Sequence, residues 1–316
     1  MYSFIRRIIT FSIIVLIPII LIEYALTLKE NSFTVKLNYV KNNTNNIKTL
    51  LLGHSHMENG VVPQVLEAGT YNLAIGGRQS KYDMLLAELL IPNMPNLKRV
   101  IWPLGYNFQY ISYTYPCMIK NETFNNCWSL NSTYICMYYK YMGLSYNNKS
   151  FLYYSELMNS SLDYANRIFQ SNEKLINENQ LTLGYGALHN INKNKEWFKQ
   201  QLPFEIDINR NNNIKKAYNE NIQNISKIAE ICQEHNIEFI IVTFPHYRTF
   251  IEKVNEKGIM DMDCFINDIK KKYPIKYYNY FNDNRFNEND FFNSSHLSHE
   301  GAIKFTEIFS KDINNR

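Results

Sequence analysis

The sequence has no concentrated stretch of basic residues. Its 33 Lys and Arg residues against 29 Asp and Glu residues give a net charge of +4, and they are scattered along a chain of 316 residues. A protein that binds nucleic acid gathers Lys and Arg on one face, because the phosphate backbone must be neutralised there. We therefore exclude nucleic acid as a partner.

The apolar run near the N-terminus lacks a recognisable cleavage site. Arg6 and Arg7 precede the uncharged run Ile8–Ile22, and Ala25–Thr27 is a poor match to the small-residue pattern at which signal peptides are cut. This favours an uncleaved transmembrane anchor over residues 1–28 rather than a cleaved signal peptide. The two arginines predict a cytoplasmic N-terminus, with the rest of the chain periplasmic or extracellular.

After a polar linker over residues 29–46, short apolar runs alternate with amphipathic stretches. The apolar runs have the length of strands that are buried on both faces. The alternation predicts an α/β domain over residues 47–316, with helices on both faces of a mainly parallel five-stranded sheet. The predicted strands are Thr49–Leu52, Tyr71–Ile75, Arg99–Leu104, Glu238–Phe244 and Ile275–Tyr280.

Two serines are predicted to mark helix starts. Ser80 is followed three residues later by Asp83, which resembles a capping box, and Ser298 precedes an apolar helical face that runs to Ile313. The segment over residues 108–213, after the third strand, is rich in Tyr and Asn and contains no repeat. We predict that it is a helical insertion or lid over the ligand site.

Residues suited to acyl transfer follow the predicted strands. Ser55 comes directly after the first strand, Gly77 after the second and Asn107 after the third, while His296 precedes the last helix. Ligands of parallel α/β sheets bind at the carboxyl ends of the strands. A nucleophile, a base and donors for an oxyanion are what acyl transfer requires.

At these positions the sequence resembles the SGNH (GDSL-like) hydrolase superfamily. The motif "LGHSH" supplies Ser55, "YNLAIGG" supplies Gly77, "LGYN" supplies Asn107 and "NSSH" supplies His296. The resemblance covers roughly residues 47–107 and 214–312, and implies a three-layer, flavodoxin-like α/β/α fold. The combination of "GHSH", "YNLAIGG" and "HLSHEGAIKFT" resembles membrane-anchored SGNH-like proteins of bacterial cell-surface polysaccharide pathways.

The resemblance implies that Ser55 is the nucleophile and that His296 is the general base and then the acid. The Ser55 and Gly77 N–H groups and the Asn107 side-chain amide would bind the oxyanion. One residue departs from the family pattern, because Asn293 stands where the family has an aspartate. Its carbonyl can accept the imidazole N–H but carries no charge. Three nearby carboxylates are alternative partners: Asp283, Asp290 and Glu300.

The implied activity is that of an esterase or an O-acetyltransferase acting on an acylated cell-surface glycan. It needs no cofactor and no metal, and the implied partners are the membrane and polysaccharide-biosynthesis proteins. Two other interpretations stay open. Asn293 favours a tethered carbohydrate-binding or assembly protein that has lost its chemistry, and four imidazoles of zinc-ligand type favour a metal site. These are His54, His56, His296 and His299.

The remaining histidines have simpler interpretations. His54 and His56 flank the nucleophile, and we predict that they form polar walls of the pocket. His246 follows the fourth strand, and it is predicted to lie at the surface.

Overall fold

The computed structural model describes residues 2–27, 32–106, 108–112, 183–189, 196–200, 202–203 and 212–315. Two compact units divide the chain: residues 1–35 with 126–177, and residues 36–125 with 178–316. Most of the predicted insertion, residues 108–213, lies outside the described residues. The proposed division into anchor, linker and domain stays a prediction.

The N-terminal apolar run is helical, as α1 (Tyr2–Thr27). Within the residues that the structure describes, no helix has both the length and the apolar character needed to cross a membrane. The transmembrane helix predicted over residues 1–28 is thus not found there. A second helix, α2 (Ser32–Asn42), occupies most of the predicted linker. Its side chains Leu37 and Val40 are buried.

All five predicted strands are present, and they form one parallel sheet. Their order across the sheet is β2-β1-β3-β4-β5. This is the flavodoxin-like order, in which the chain leaves the first strand toward one edge and later returns to build the other. The strands are β1 (Thr49–Leu51), β2 (Thr70–Asn72), β3 (Arg99–Pro103), β4 (Glu238–Thr243) and β5 (Ile275–Asn279).

Helices cover both faces of the sheet. They are α3 (Ser55–Gly60), α4 (Pro63–Leu66), α5 (Ser80–Leu90), α6 (Asn212–Glu234), α7 (Arg248–Ile251), α8 (Glu256–Lys270) and α9 (His299–Asn314). Helix α9 packs on α3 and α4, whereas α6 packs on α5 and α8. The α9 face buries the side chains of Leu51, Ile101, Val242, Phe305 and Phe309.

The second helix layer explains why the central strands are mainly apolar. Along β4, Ile240 and Val242 belong to the α9 core, and the alternate residues Phe239 and Ile241 are equally buried. Successive strand residues point to opposite faces, so a strand covered on both sides is apolar at every position. The three-layer α/β/α prediction is confirmed for the described residues.

The two predicted helix starts have different outcomes. The Ser298 side chain accepts the N–H of Gly301 and is the N-cap of α9. The capping box at Ser80 is not formed, because Gln79 precedes α5 and Ser80 hydrogen bonds with Asn221 instead. The Asp83 carboxylate does not bond the helix end, because it accepts hydrogen bonds from the Gly53 N–H and the Trp102 ring N–H.

Candidate active site

A glycine turn sets Ser55 at the edge of the sheet. Gly53, between β1 and α3, has a φ of 110°, and a side chain there would overlap Pro103 at the end of β3. Only glycine combines this backbone conformation with so close an approach. The Gly53 N–H donates to Asp83 over 3.0 Å. Ser55 therefore begins α3 at the carboxyl ends of β1 and β3, where the strand order reverses.

The His296 ring reaches Ser55 from the far end of the chain. Its Nε2 lies 2.8 Å from the Ser55 Oγ, across a sequence separation of 241 residues. The loop that carries His296 is closed by a bridge between Phe291 and Leu297 and by the N-cap at Ser298. This closed loop fixes the imidazole beside the nucleophile.

Asn293 binds the other side of the same ring. Its Oδ1 lies 3.1 Å from His296 Nδ1. The same oxygen accepts the backbone N–H groups of Ser295, at 3.0 Å, and of His296, at 2.8 Å. Because both backbone groups are donors, the Asn293 atom that faces them must be its oxygen.

This arrangement determines the tautomer of His296. An oxygen has no proton to donate, so His296 Nδ1 carries the proton and donates it to Asn293. Nε2 is then unprotonated and accepts the Ser55 hydroxyl. Asn293 therefore gives His296 the tautomer that a general base needs.

None of the alternative carboxylates replaces Asn293. Asp283 forms an ion pair with Arg285, and Asp290 with Lys304. In the described part of the chain, the hydrogen-bond partners of the His296 ring are Ser55 and Asn293. Glu300 is exposed at the start of α9.

A second serine–histidine contact lies beside the first one, between His56 and Ser295, which are the sequence neighbours of Ser55 and His296. His56 Nε2 lies 2.9 Å from the Ser295 Oγ, and the His56 ring stacks on His296 with centroids 4.7 Å apart. His54 Nδ1 accepts the His56 backbone N–H, so the His56 Nδ1 that lies 3.2 Å away is the donor between the two rings. His56 Nε2 then accepts the Ser295 hydroxyl.

His54, predicted to form a wall of the pocket, is almost completely buried. The residue is 3% exposed, it is the N-cap of α3, and its ring stacks on Phe108. His246, predicted to lie at the surface, is also buried, because Phe250 and Phe281 pack on its ring. Its Nδ1 donates to the Phe244 carbonyl over 2.9 Å.

Four neighbouring imidazoles form a cluster in which protonation is unfavourable: His54, His56, His246 and His296. Burial lowers the pKa of His296 to about 4 and those of His54 and His246 to about 3. Burial, and then the nearby His296, hold the pKa of His56 well below its ordinary value. A protonated ring would lose hydration and repel its neighbours. The four rings are therefore neutral at physiological pH, and His296 is available as a base.

The structure describes two of the three residues predicted to bind the oxyanion. Gly77, after β2, has a φ of 75° and lies in an exposed loop. The preceding Gly76 passes beside the nucleophile, because a side chain on it would lie 3.8 Å from the Ser55 Cβ. Asn107 lies outside the described residues. The oxyanion roles of Ser55, Gly77 and Asn107 stay predictions.

The zinc alternative gains no support from the side-chain positions. His299 begins α9 and bonds the Tyr185 hydroxyl over 3.0 Å, while His56 bonds Ser295. Among the described residues, no group of three or more His, Cys, Asp or Glu side chains is arranged to hold a metal ion.

Sequence reasoning did not find Ser295, Asp83 or Glu58 as residues around the site. Ser295 stands in the motif that supplied His296, but its partner His56 is 239 residues away. Asp83 was interpreted as part of a helix cap, and Glu58 was not singled out. Short-range sequence patterns contain no signal for contacts of this separation.

Several solved structures are similar to this chain at 11% identity. A GDSL-like lipase from Bacteroides thetaiotaomicron has a TM-score of 0.41, covering 89% of this chain and 97% of that chain. A candidate acylhydrolase from Bacteroides fragilis has a TM-score of 0.41, covering 88% and 95%. A candidate platelet activating factor from Streptococcus pneumoniae has a TM-score of 0.43, covering 94% and 97%. No family model and no curated protein matches the sequence.

The histidine cluster predicts a loss of stability in acid. The unfolded chain binds protons near the ordinary histidine pKa of 6.5, whereas the folded site resists them down to about 3 or 4. Between these values the unfolded state holds more protons, so the free energy of unfolding falls as the pH falls. Each histidine contributes up to ~1.4 kcal/mol per pH unit. Urea titrations across this range measure the slope.

A matched pair of variants isolates one histidine. His246→Gln should reduce the slope by about one proton, and His235→Gln, which removes an exposed imidazole just before β4, is the matched control. Equal slopes in both variants would show that His246 is not held neutral by burial.

Proposed function

We propose that this chain is an SGNH-type serine esterase or O-acyltransferase that works through an acyl-enzyme on Ser55. The observation that supports it is the 2.8 Å contact between Ser55 Oγ and His296 Nε2, with the His296 tautomer held by Asn293. A nucleophile, a base and a group that orients the base are the parts required for nucleophilic acyl transfer.

In this mechanism Ser55 Oγ attacks the acyl carbonyl, and its proton passes to His296 Nε2. The imidazolium then protonates the leaving alcohol, which leaves the acyl group on Ser55. His296 next deprotonates an acceptor hydroxyl, which takes the acyl group, and the proton returns to Ser55. Water as acceptor gives an esterase, and a sugar hydroxyl gives an acyltransferase. The N–H groups of Ser55 and Gly77 and the Asn107 amide are the proposed oxyanion donors.

The proposed substrate is an acyl ester, most simply an acetyl ester, of a cell-surface polysaccharide. Its support is the resemblance of "GHSH", "YNLAIGG" and "HLSHEGAIKFT" to the SGNH-like proteins of those pathways. Polysaccharide-biosynthesis proteins are the proposed partners.

A non-catalytic carbohydrate-binding or assembly protein is the second candidate. Asn293 favours it, because an asparagine supplies no negative charge to stabilise the imidazolium. The two candidates differ in whether Ser55 is reactive.

A fluorophosphonate probe tests that reactivity directly. We expect the full chain to be labelled at Ser55, because His296 removes the hydroxyl proton, and mass spectrometry identifies the labelled residue. Ser55→Ala and His296→Ala should both abolish labelling. Ser295→Ala, which removes a serine bonded to the other histidine, should retain it. Folded protein that resists both this probe and a smaller sulfonyl fluoride would contradict the esterase and favour the binding protein.

Restoring the carboxylate tests the role of Asn293. In Asn293→Asp, three N–H donors already face the new charge, and the charge should raise the pKa of His296 above its value of about 4. A stronger base should raise kcat/KM for p-nitrophenyl acetate at neutral pH by ~10-fold, and should move the acid limb of the pH profile upward. Unchanged kinetics in a folded variant would show that proton transfer does not limit the rate. Asn293→Ala should slow the reaction.

We further propose that the N-terminal segment exports the domain, as an anchor or a signal. The support is the order of Arg6 and Arg7 before an uncharged run. A membrane-impermeant form of the probe should then label Ser55 in cells whose inner membrane is intact. Labelling only after lysis would contradict export. Alkaline carbonate extraction distinguishes an anchored product from a released one.

A further inference from the structure

A buried ion pair lies one helical turn beyond the nucleophile. Lys36 Nζ is 3.0 Å from Glu58 Oε1, and the two side chains are 1% and 8% exposed. Lys36 also donates to the Ala74 carbonyl over 2.6 Å. Glu58 is the fourth residue of α3, which Ser55 begins. The pair therefore ties α2 and the segment after β2 to the helix that carries the nucleophile.

The second carboxylate oxygen of Glu58 holds the glycine loop. Glu58 Oε2 accepts the Gly76 N–H over 2.7 Å. Gly76 itself runs beside Ser55, and Gly77 follows it in the left-handed conformation. The direction of the Gly76–Gly77 peptide relative to Ser55 thus depends on a contact made by α3 itself.

Stability alone does not account for this pair. Burial lowers the pKa of Lys36 against the opposing attraction of Glu58, which means that desolvation of the ammonium group is costly. Buried ion pairs of this kind are often no more stabilising than apolar side chains of the same volume. A charged acceptor does, however, make a shorter and stronger bond to a backbone N–H than a neutral acceptor does.

We propose that Glu58 is a positioning residue that orients the Gly76–Gly77 peptide toward the oxyanion, and that Lys36 fixes Glu58 in that role. This inference rests on the proposed function, because it assigns a task within the same acyl-transfer site. Neither side chain touches substrate. Their effect is to place a backbone donor where negative charge develops.

Two double variants differ in the acceptor alone. Lys36→Met/Glu58→Gln removes both charges and keeps an amide oxygen for the Gly76 N–H. Lys36→Met/Glu58→Met removes both charges and the acceptor. Replacing both members of the pair leaves no unpaired buried charge, so both chains should fold. Circular dichroism and thermal melting check this.

The expected result is a difference in kcat between the two variants. With p-nitrophenyl acetate, the Gln variant should keep kcat within about 3-fold of the wild type, whereas the Met variant should lose about 10- to 100-fold. KM should stay within about twofold in both, because the bond acts on the transition state. Amide hydrogen exchange should be faster at residues 76–77 in the Met variant only.

A control variant removes an ion pair at the amino ends of the strands, away from Ser55. Glu67 bonds Arg99, the first residue of β3, over 2.8 Å. Glu67→Gln should change the melting temperature and leave kcat unchanged.

The outcomes separate the two claims. Equal kcat and equal exchange at residues 76–77 in the Gln and Met variants would overturn the positioning role while the esterase stands. A wild-type chain that neither hydrolyses the ester nor reacts with the fluorophosphonate would overturn the esterase. In that case the hydrogen-exchange comparison still decides whether Glu58 orders the glycine loop, and equal exchange would overturn the inference.

Discussion

The geometry of the site depends on one atom, the side-chain oxygen of Asn293. It accepts two backbone N–H groups and the N–H of the His296 ring. Rotating the amide by half a turn would point its NH₂ group at two backbone donors, and each donor left unsatisfied costs ~1–3 kcal/mol. The backbone therefore fixes the amide, the amide fixes the tautomer, and the tautomer makes His296 an acceptor for Ser55. Asparagine harms a serine protease triad mainly through the wrong tautomer, which this loop prevents.

The sheet order brings these groups to one place. β1 lies between β2 and β3, and the chain leaves it toward β2 before it crosses to β3. The ends of β1 and β3 are therefore adjacent, with Gly53 against Pro103. Ser55 follows the first of these ends and Phe108 the second, and His296 reaches them from the start of α9. Parallel strands commonly bind ligands at such a reversal point.

The sequence predicted the parts of this protein that depend on local patterns. Short apolar runs identified the five strands, because burial on both faces leaves few polar positions along the central ones. Strand ends and motif resemblance pointed to Ser55, Asn293 and His296, which the structure brings into contact. The fully buried Asp83 was misread, because its donors, Gly53 and Trp102, are 30 and 19 residues away. His246 was misread because only the fold surrounds it with phenylalanines.

The distribution of charge around the site has a chemical consequence. Asp83 and Glu58 are buried beside the nucleophile turn and the glycine loop, and each accepts a backbone N–H and pairs with a cation. In the described part of the chain, the His296 ring has no such carboxylate partner. The protein thus uses buried negative charge to hold its backbone, and surrounds the His296 ring with neutral imidazoles. In the proposed mechanism, a His296 with a pKa of about 4 would remove the Ser55 proton less readily than an ordinary histidine, but it would stay unprotonated at a lower pH.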